Sequence, residues 1–495
     1  MADLSDCVIR KDDIVEGLKA VGLEPGCAVI VHSALSSFGT VEGGADTVID
    51  ALLEVVGKEG TVMMPEFTLE EPFNLKTSPT YLGAVSEVFR KRKQALRSLN
   101  PLSSVSAIGK EAEYLVEGHV SCQVPQGMES PFGKLIELGG YVLLLGVDFD
   151  RCTVMHMFEI LSNAPYLSEE TGEYLDHDGR KVRRTYRQFP GPHRDFIGLT
   201  SRFENAGIIK KTKIGGSVVR LMKAKDLIAE GLKAMEEDPA AVLCENPNCA
   251  DCIEQRSKIY REQLGRENFK LAAVSDLAGR YVDEIVENLL RYGIQYVEIY
   301  HLQGRELFEL EPEEVDYVFQ RFDKLGISVS GIKVSHISYF DIVEKIASKY
   351  HVRQIILPMS ANTSAKRASE GEPAILLENV NQLAAEVCEI LRKNRGKNLA
   401  LAFNPFNFAR VKEQPFMTSL TKGRVKKYIR QLYINDGTFD GLRTEPASGN
   451  AEIKELVSIL RYSSFDGYFV LEGHFGKAGG FHSAVKGFWR LLKEM

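Results

Sequence analysis

A histidine and a glutamate three residues apart, His156 and Glu159, are suited to acid–base chemistry. The apolar spacing of their segment, CTVMHMFE, is helical, and residues i and i+3 of a helix share a face. Glu159 could then hold one imidazole nitrogen while the other takes a proton from an amine that attacks a carbonyl. The alternative is a buried histidine that bonds a neighbouring acid for structural reasons, and spacing alone favours that alternative.

A serine-rich loop followed by two glycines is the second candidate site. It lies in VHSALSSFGTVEGG, between a predicted strand and a predicted helix. Ser33, Ser36 and Ser37 offer hydroxyl donors, and the helix that begins at Gly43-Gly44 offers free N–H groups. Such a helix start suits a phosphate or pyrophosphate. A polar turn without a ligand has the same composition, so the loop alone is a weak signal.

Three cysteines, Cys244, Cys249 and Cys252, have the spacing of metal ligands in the segment CENPNCADC. A structural zinc site usually has four ligands, and no fourth candidate lies next to them in the sequence. The alternative is three thiols in a turn that contains Asn and Pro, and the missing ligand favours it. Zinc is therefore kept as the minority interpretation.

Polar residues follow several predicted strands in the second half of the chain. Carboxylates that meet at such strand ends could hold a divalent cation. Solvated acids at loop ends are the alternative, and position alone does not separate the two. The residues are Glu298, Glu378, Asn404, Asp436 and Glu472, with His336 and His474.

The elements that must position these residues alternate between strand and helix in both halves. In the first half, Ala28–His32, Gly60–Met64 and Tyr141–Val147 read as buried strands, and Ala45–Val56 has helical spacing. Residues Thr153–Leu161 also read as a helix. This alternation predicts an α/β fold with a largely parallel sheet covered by helices.

Eight strand-like segments in the second half predict a small (β/α)8 barrel of the TIM type. The loop after Pro358 is short and polar, so one crossover is predicted to be degenerate. In such barrels, function lies at the C-terminal ends of the strands. The segments are 271–274, 296–300, 327–334, 354–358, 375–378, 399–403, 431–435 and 468–471.

The length of 495 residues suggests two or three domains. Strand and helix signals alternate more regularly after residue 265, which divides the chain into 1–268 and 269–495. The charged stretch Ile253–Asn268 at this break is predicted to be a solvated connector helix. The net charge of −7 argues against nucleic acid or an anionic membrane as the partner. No apolar run approaches the roughly 20 residues that span a bilayer. The N-terminus does not resemble a secretory signal, and eight cysteines without one indicate reduced thiols, so a cytoplasmic protein is expected.

The first half resembles the aminoglycoside 3-N-acetyltransferases. The likeness runs in the family's order through VHSALSSFG, GTVMMPEFT, TYLGAVSEVFR, LRSLNPLSSVSAIGKEA, GMESPFGKLIELGGYVLLLGV and CTVMHMFE. It implies the α/β sandwich of that family, acetyl-coenzyme A as donor, and an amine of a sugar-like molecule as acceptor. Asn100 stands before Pro101 where the family usually has His, which could alter substrate or cofactor contacts.

The same resemblance assigns roles to particular residues. His156 would be the general base, Glu159 its orienting partner, and Thr153 would lie beside them. The coenzyme site would be lined by His32, Ser33, Ser36, Ser37, Gly43 and Gly44.

The second half resembles the xylose-isomerase-like sugar phosphate isomerase and epimerase barrels through ILLENV, LAFNPFN, QLYIND and GYFVLEG. The likeness implies that Glu378 and Glu472 match metal-binding glutamates. Asn404 stands where the family has Asp, however, and Tyr433 where it has His. Loss of an anionic ligand and an imidazole should weaken metal binding, so a barrel that binds a sugar without chemistry competes with an isomerase.

The sequence thus predicts an acetyl-coenzyme-A-dependent N-acetyltransferase fused to a sugar-binding or isomerase-like barrel. The expected partners are a small amine acceptor, an amino sugar or aminoglycoside, and further copies of the chain. Two alternatives stay open: a sugar isomerase with an accessory cofactor-binding domain, and a non-catalytic protein that binds coenzyme A or carbohydrate.

Overall fold

The computed structural model describes residues 8–191, 193–246, 248–360, 373–394, 398–422, 425–463, 465–473 and 480–495. The chain divides into two compact units, residues 1–255 and 256–495. The division falls inside the helix Ala250–Gly265, where the charged stretch Ile253–Asn268 predicted a solvated connector. Its Cys252, Arg256 and Ile259 are buried, so the expectation of a solvated helix is wrong.

A mixed sheet forms the centre of the first unit. The strands described in this unit are β1 (Ala28–Ser33), β2 (Thr61–Pro65), β3 (Leu96–Arg97), β4 (Val105–Gly109), β5 (Tyr141–Leu145), β6 (Ser168–Leu175), β7 (Lys181–Gln188), β8 (Lys210–Ile214) and β9 (Ser217–Lys223). Seven of them form one sheet in the order β3-β4-β2-β1-β5-β9-β8, and β6 and β7 form a separate hairpin.

The prediction of a largely parallel sheet is wrong. Strand β1 runs parallel to β2 and β5, but the pairs farther out, β2–β4, β3–β4, β5–β9 and β8–β9, are antiparallel. A parallel neighbour requires a crossover of a dozen or more residues. Strands β8 and β9 are instead joined through Gly215 and Gly216, and such a short connection permits only an antiparallel pair.

Helices cover this sheet. Helix Gly44–Val56 begins after Gly43, whose left-handed φ of 74° starts the first turn, and it buries Val48, Ile49 and Leu52. The α-helices of the unit are Lys11–Val21, Gly44–Val56, Ala84–Arg90, Ala112–Val116, Pro131–Glu137, Met157–Leu161, Thr200–Asn205 and Ala224–Glu237. Short 3-10 helices are Leu35–Phe38, His119–Ser121, Phe149–Arg151, Thr153–His156 and Ile197–Leu199.

The second unit is a closed barrel of eight parallel strands, in which the first strand pairs with the last. The eight predicted strands and their closure into a barrel are confirmed. The strands are Lys270–Val274, Tyr296–Ile299, Ser328–Lys333, Gln354–Pro358, Ala374–Glu378, Leu399–Phe403, Ile429–Ile434 and Tyr468–Leu471. The predicted degenerate crossover falls mainly on residues 361–372, which lie outside the described residues, as does His474.

Helices surround the barrel and bury its outer face. The α-helices are Ser275–Ala278, Val282–Arg291, Pro312–Lys324, Phe340–Lys349, Ala384–Lys393, Pro405–Arg410, Ile453–Tyr462 and Gly480–Lys493. Inside the barrel, small and branched side chains such as Ala272, Ile356 and Val470 form a separate apolar layer. Within the described part of either unit, no helix combines the length and the hydropathy that crossing a membrane requires.

Candidate active site

His156 and Glu159 are in direct contact. The His156 Nδ1 atom lies 2.7 Å from Glu159 Oε2, across the junction between the 3-10 helix Thr153–His156 and the α-helix Met157–Leu161. Because an ionised carboxylate only accepts hydrogen bonds, Nδ1 carries the ring proton and Nε2 presents its lone pair. Nε2 has no hydrogen-bond partner in the described part of the chain, and the ring is 15% exposed. The pair therefore has the arrangement of an oriented general base.

Two phenylalanines hold the imidazole ring. Phe189 stacks on His156 with ring centroids 3.5 Å apart and planes within 3°, and Phe196 meets it edge-on at 4.9 Å. Both follow β7, in the segment that leads to the helix Thr200–Asn205. These contacts restrict ring rotation, so Nε2 keeps one direction.

A buried arginine neutralises the glutamate. Arg194 Nε donates to Glu159 Oε1, the carboxylate oxygen that His156 does not use. Both side chains are almost fully buried, at 1% and 0% exposure. The guanidinium also donates to the backbone oxygens of His193 and Pro190, at 2.5 and 2.9 Å. A buried ion pair needs such additional hydrogen bonds to offset the loss of water.

The protonation states follow from these surroundings. Burial lowers the pKa of His156 below its ordinary 6.5, although the bond to Glu159 opposes that effect. Burial raises the pKa of Glu159, but its bonds to His156 and Arg194 outweigh burial and hold the pKa below the ordinary value. At neutral pH the site therefore contains a neutral imidazole beside a carboxylate, as a proton acceptor requires.

A cavity of about 770 Å³ lies over the C-terminal end of β1 and the start of helix Gly44–Val56. It brings together five residues that were predicted near the cofactor or the catalytic pair. They are His32, Ser33, Ser36, Gly44 and Thr153. Its wall also includes Arg151, Tyr81 and Ser86, which no local sequence signal indicated.

Thr153 connects this cavity to the His156–Glu159 pair. Thr153 lines the cavity wall, whereas His156 does not and lies at the other end of the same 3-10 helix. Side chains three residues apart in a 3-10 helix eclipse one another. The two side chains therefore lie on one face, about 6 Å apart along the axis at a rise of about 2 Å per residue.

His32 forms hydrogen-bond contacts with Thr153. The Thr153 N–H donates to His32 Nε2 at 3.1 Å, and the Thr153 hydroxyl lies 2.9 Å from the same nitrogen. Burial lowers the pKa of His32 to about 3, so the ring is neutral. His32 was predicted to contact the cofactor, and the structure places it between the cavity and the Thr153 backbone.

Two of the residues predicted to contact the cofactor, Ser37 and Gly43, lie outside the cavity wall. Ser37 Oγ donates to the Ala34 oxygen at 2.6 Å and lies 3.1 Å from Ser217 Oγ, so its hydroxyl has partners inside the unit. Gly43 supplies the left-handed residue before helix Gly44–Val56. Neither borders the cavity in the part of the chain that the structure describes. Asn100, which replaces the family's His, accepts from the N–H groups of Leu102 and Ser103 in a turn.

The three cysteines gain a fourth neighbour. Cys244, Cys249, Cys252 and His193 have their ligand atoms within 4.8 Å of one another. His193 was not predictable as a ligand from the sequence, because it is 51 positions or more from the cysteines and only the fold brings it to them. Among the described residues, no other set of three or more His, Cys, Asp or Glu side chains converges in this way.

A lysine occupies the acidic end of the barrel. The Lys333 ammonium lies 2.8 Å from Glu378 Oε2 and 2.7 Å from Glu472 Oε1, at the C-terminal ends of their strands. Asn404 Nδ2 donates to both glutamates, at 2.8 and 2.9 Å. Burial lowers the pKa of Lys333, but the surrounding carboxylates raise it above its ordinary value, so the lysine is charged. The two predicted metal ligands thus share a cation that belongs to the chain.

The other predicted barrel acids have hydrogen-bond partners of their own, although the charges of Lys333 and Glu472 also act on Glu298. Glu298 accepts hydrogen bonds from Gln431 and Tyr433 at 2.6 and 2.7 Å, and burial raises its pKa to about 7. Asp436 accepts the backbone N–H groups of Gly449 and Ala451, each at 3.0 Å. Asp436 therefore holds the loop that contains Gly449 and Ala451. Its oxygens are engaged there and do not join Glu378 and Glu472 in a shared cation site.

We expect Lys333→Met to destabilise the barrel. The substitution keeps volume but leaves two buried carboxylates without their cation, and breaking a buried pair costs about 3–5 kcal/mol. Thermal and urea unfolding of the full chain would measure the change. Lys345→Met, on the exposed face of helix Phe340–Lys349, is the matched control and should stay within about 0.5 kcal/mol. Equal stability of both variants would contradict a stabilising role for Lys333.

A known protein family matches the first half of the chain. The model of the family "Aminoglycoside 3-N-acetyltransferase" matches residues 30–236. An aminoglycoside N(3')-acetyltransferase-like protein, YokD, of Bacillus subtilis is 33% identical over 245 residues, 44% of this chain and 89% of that protein. Aminoglycoside N(3)-acetyltransferase IV of Salmonella is 31% identical over 238 residues, 47% of this chain and 90% of that protein.

A similar crystal structure is that of the aminoglycoside acetyltransferase AAC(3)-IVa, as the apoenzyme. It is 30% identical, with a TM-score of 0.48, and the likeness covers 51% of this chain and 98% of that one.

Proposed function

The chain belongs to the aminoglycoside 3-N-acetyltransferase family, and on that premise we propose that residues 1–268 acetylate an amine of an aminoglycoside or amino sugar. The prediction that the chain is an N-acetyltransferase is confirmed by this membership. The observation that carries the proposed acetylation of a sugar amine is the oriented His156–Glu159 pair, one 3-10 turn from a cavity wall. The proposed donor is acetyl-coenzyme A.

The cavity residues suit a phosphorylated donor. The start of helix Gly44–Val56 supplies N–H groups and a partial positive charge at the cavity wall, which favour a phosphate or pyrophosphate. Ser33 and Ser36 supply hydroxyl donors beside it, and Arg151 supplies a positive charge. Bound acetyl-coenzyme A supplies a thioester, whose carbonyl carbon accepts an amine readily.

The proposed chemistry of the chain is proton removal. His156 Nε2 accepts a proton from the acceptor ammonium or from the attacking amine, and the imidazolium that forms is stabilised by Glu159. Arg194 keeps Glu159 ionised and fixed, so Nδ1 stays the protonated nitrogen. The same imidazolium can return its proton to the departing thiolate. Thr153, which His32 holds by hydrogen bonds, forms the part of the cavity wall next to the His156–Glu159 pair.

The pH dependence of turnover tests the state of His156. A base works when it is neutral, so activity is lost as pH falls through the pKa of His156. Because burial lowers that pKa, the acid limb of kcat should lie below pH 6.5. Initial rates of thiol release from pH 5 to 8 would measure it, with protein stability checked at each pH. An acid limb above pH 6.5 would contradict the assignment.

For the barrel we propose carbohydrate binding without a divalent metal. Supporting it, Lys333 pairs with Glu378 and Glu472, and Asn404 donates to Glu378. A cluster of charged and amide groups at the strand ends suits the hydroxyls of a sugar. A TIM-type, xylose-isomerase-like ancestry and an isomerase activity remain the sequence-based alternative. Added Mn²⁺ or Mg²⁺ that converts a sugar phosphate on the full chain would support that alternative.

The cytoplasm is the proposed location. Acetyl-coenzyme A is an intracellular donor, and none of the seven described cysteines is in a disulfide, which suits a reducing compartment.

A panel of amines tests the transferase proposal. The full chain is incubated with acetyl-coenzyme A and single aminoglycosides or amino sugars, and free thiol is measured over time. We expect release with at least one acceptor and an acetylated product of matching mass. Coenzyme binding without release from any amine would favour the non-catalytic alternative. Light scattering on the same sample measures the predicted association of copies.

A further inference from the structure

Four side chains from distant parts of the first unit converge beside the candidate active site. His193 lies in the segment after β7, Cys244 and Cys249 lie in the loop after helix Ala224–Glu237, and Cys252 lies in the first turn of helix Ala250–Gly265. Their four ligand atoms lie within 4.8 Å of one another. The convergence supplies the fourth ligand that the sequence does not show.

The spacing within this cluster matches a tetrahedral metal site. His193 Nδ1 lies 3.4 Å from the Sγ atoms of both Cys249 and Cys252. With a Zn–S bond of about 2.3 Å and a Zn–N bond of about 2.0–2.1 Å, tetrahedral angles place S and N about 3.6 Å apart. A small adjustment therefore brings these atoms to the edges of a zinc tetrahedron.

Hydrogen bonds of backbone N–H groups already support the four side chains. The Cys244 N–H points at Cys252 Sγ at 3.4 Å, a bond that a thiolate accepts well. Asp251 Oδ2 accepts the N–H of His193 at 2.9 Å, which fixes the backbone of the fourth ligand. Orientation of ligands by such outer bonds is typical of metal sites.

We propose that His193, Cys244, Cys249 and Cys252 bind one Zn²⁺ as a closed Cys3His site. Four protein ligands fill a tetrahedral zinc, so no coordination position is left for substrate. The site is therefore structural. Its chemical preference is for a soft-ligand metal, since three thiolates and one imidazole select zinc over magnesium or calcium.

The proposed site also positions the catalytic pair, an inference that rests on the proposed function. The segment 189–196 begins with Phe189 on the His156 ring, and it carries His193 to the cysteines. The next residue, Arg194, donates to Glu159. Metal bound at His193 would anchor the middle of this segment, so both ends keep their contacts with His156 and Glu159.

Metal content tests the site directly. Full-length protein expressed in zinc-supplemented medium and purified without chelator should contain about one zinc per chain. Cys249→Ser and His193→Ala should each contain less than about a tenth of that amount. Cys27→Ser and His177→Ala, outside the cluster, are the matched controls and should keep full zinc. Replacing zinc with Co²⁺ should give the visible absorption of tetrahedral thiolate-bound cobalt.

Three results would overturn the zinc site. They are wild-type protein without zinc, zinc that survives both cluster substitutions, and a disulfide between cluster cysteines in protein purified under reducing conditions. His193→Cys keeps four ligands and should retain zinc, so loss of metal in His193→Ala cannot be attributed to folding alone. These outcomes do not depend on acetyl transfer.

Hydrogen–deuterium exchange tests the positioning role. Removal of zinc by a chelator should raise exchange in residues 189–196 several-fold and leave β1 unchanged. Turnover should fall while the KM for acetyl-coenzyme A stays within about twofold, because the cavity wall is built from other segments, and His193→Cys should restore turnover. Unchanged exchange and turnover in zinc-free protein would refute the positioning role while leaving zinc binding intact.

Discussion

His156→Ala should lower the rate of acetyl transfer by about 10²–10⁴-fold, the usual contribution of a positioned general base. The substitution removes Nε2, which has no hydrogen-bond partner among the described residues and can accept a proton. The cavity that would hold the donor is lined by other residues, so coenzyme affinity should change little. Thiol release at saturating donor and acceptor gives kcat, and calorimetry with coenzyme A gives the affinity.

Two further variants make the His156 result specific. His177→Ala removes an exposed histidine from the turn between β6 and β7 and should retain full activity. Glu159→Gln keeps the shape of the side chain but removes the charge that stabilises the imidazolium. Its turnover should therefore lie between those of His177→Ala and His156→Ala. Wild-type turnover in His156→Ala would remove the base from the proposed mechanism.

Arg194→Met should lower the free energy of unfolding of the first unit by about 3–5 kcal/mol. The carboxylate of Glu159 is fully buried, and the substitution removes the guanidinium that compensates its charge. The Pro190 and His193 oxygens also lose their donor. Because Glu159 would then rise in pKa and take a proton, its support of His156 should weaken and turnover should fall as well. Urea unfolding and thiol release measure the two effects.

The matched control for this substitution is Arg180→Met. Arg180 pairs with Asp178 on the surface, where both side chains are mostly exposed. Surface pairs contribute about 0–1 kcal/mol, so the control should unfold like the wild type. If Arg194→Met matched the control in stability, the buried pair with Glu159 would contribute no net stabilisation.

Local sequence signals predicted the elements better than their arrangement. The barrel strands were predictable because a strand buried on both faces is a continuous apolar run, as in Gln354–Pro358. The direction of the outer strands in the first unit was not, because β4 and β9 show the same apolar pattern in either orientation. The segment 153–161 has one apolar period, but its first turn is 3-10 and only the second is α.

The candidate site divides in the same way. His156 and Glu159 were visible because they are three residues apart, within one helical turn. Arg194 and His193 were missed because their partners are 35 residues or more away in the chain. Their segment, FPGPHRD, has the composition of an ordinary loop, and only its contacts give it a role.

The Lys333 ammonium between Glu378 and Glu472 has a consequence for how the two units depend on the supply of metal ions. Because the Lys333 ammonium is part of the polypeptide, the charges of Glu378 and Glu472 are balanced without a metal ion. A zinc-dependent first unit would instead mature only as fast as the cell supplies that metal. A shortage of zinc would then lower the activity of the first unit and leave the charge balance of the barrel unchanged.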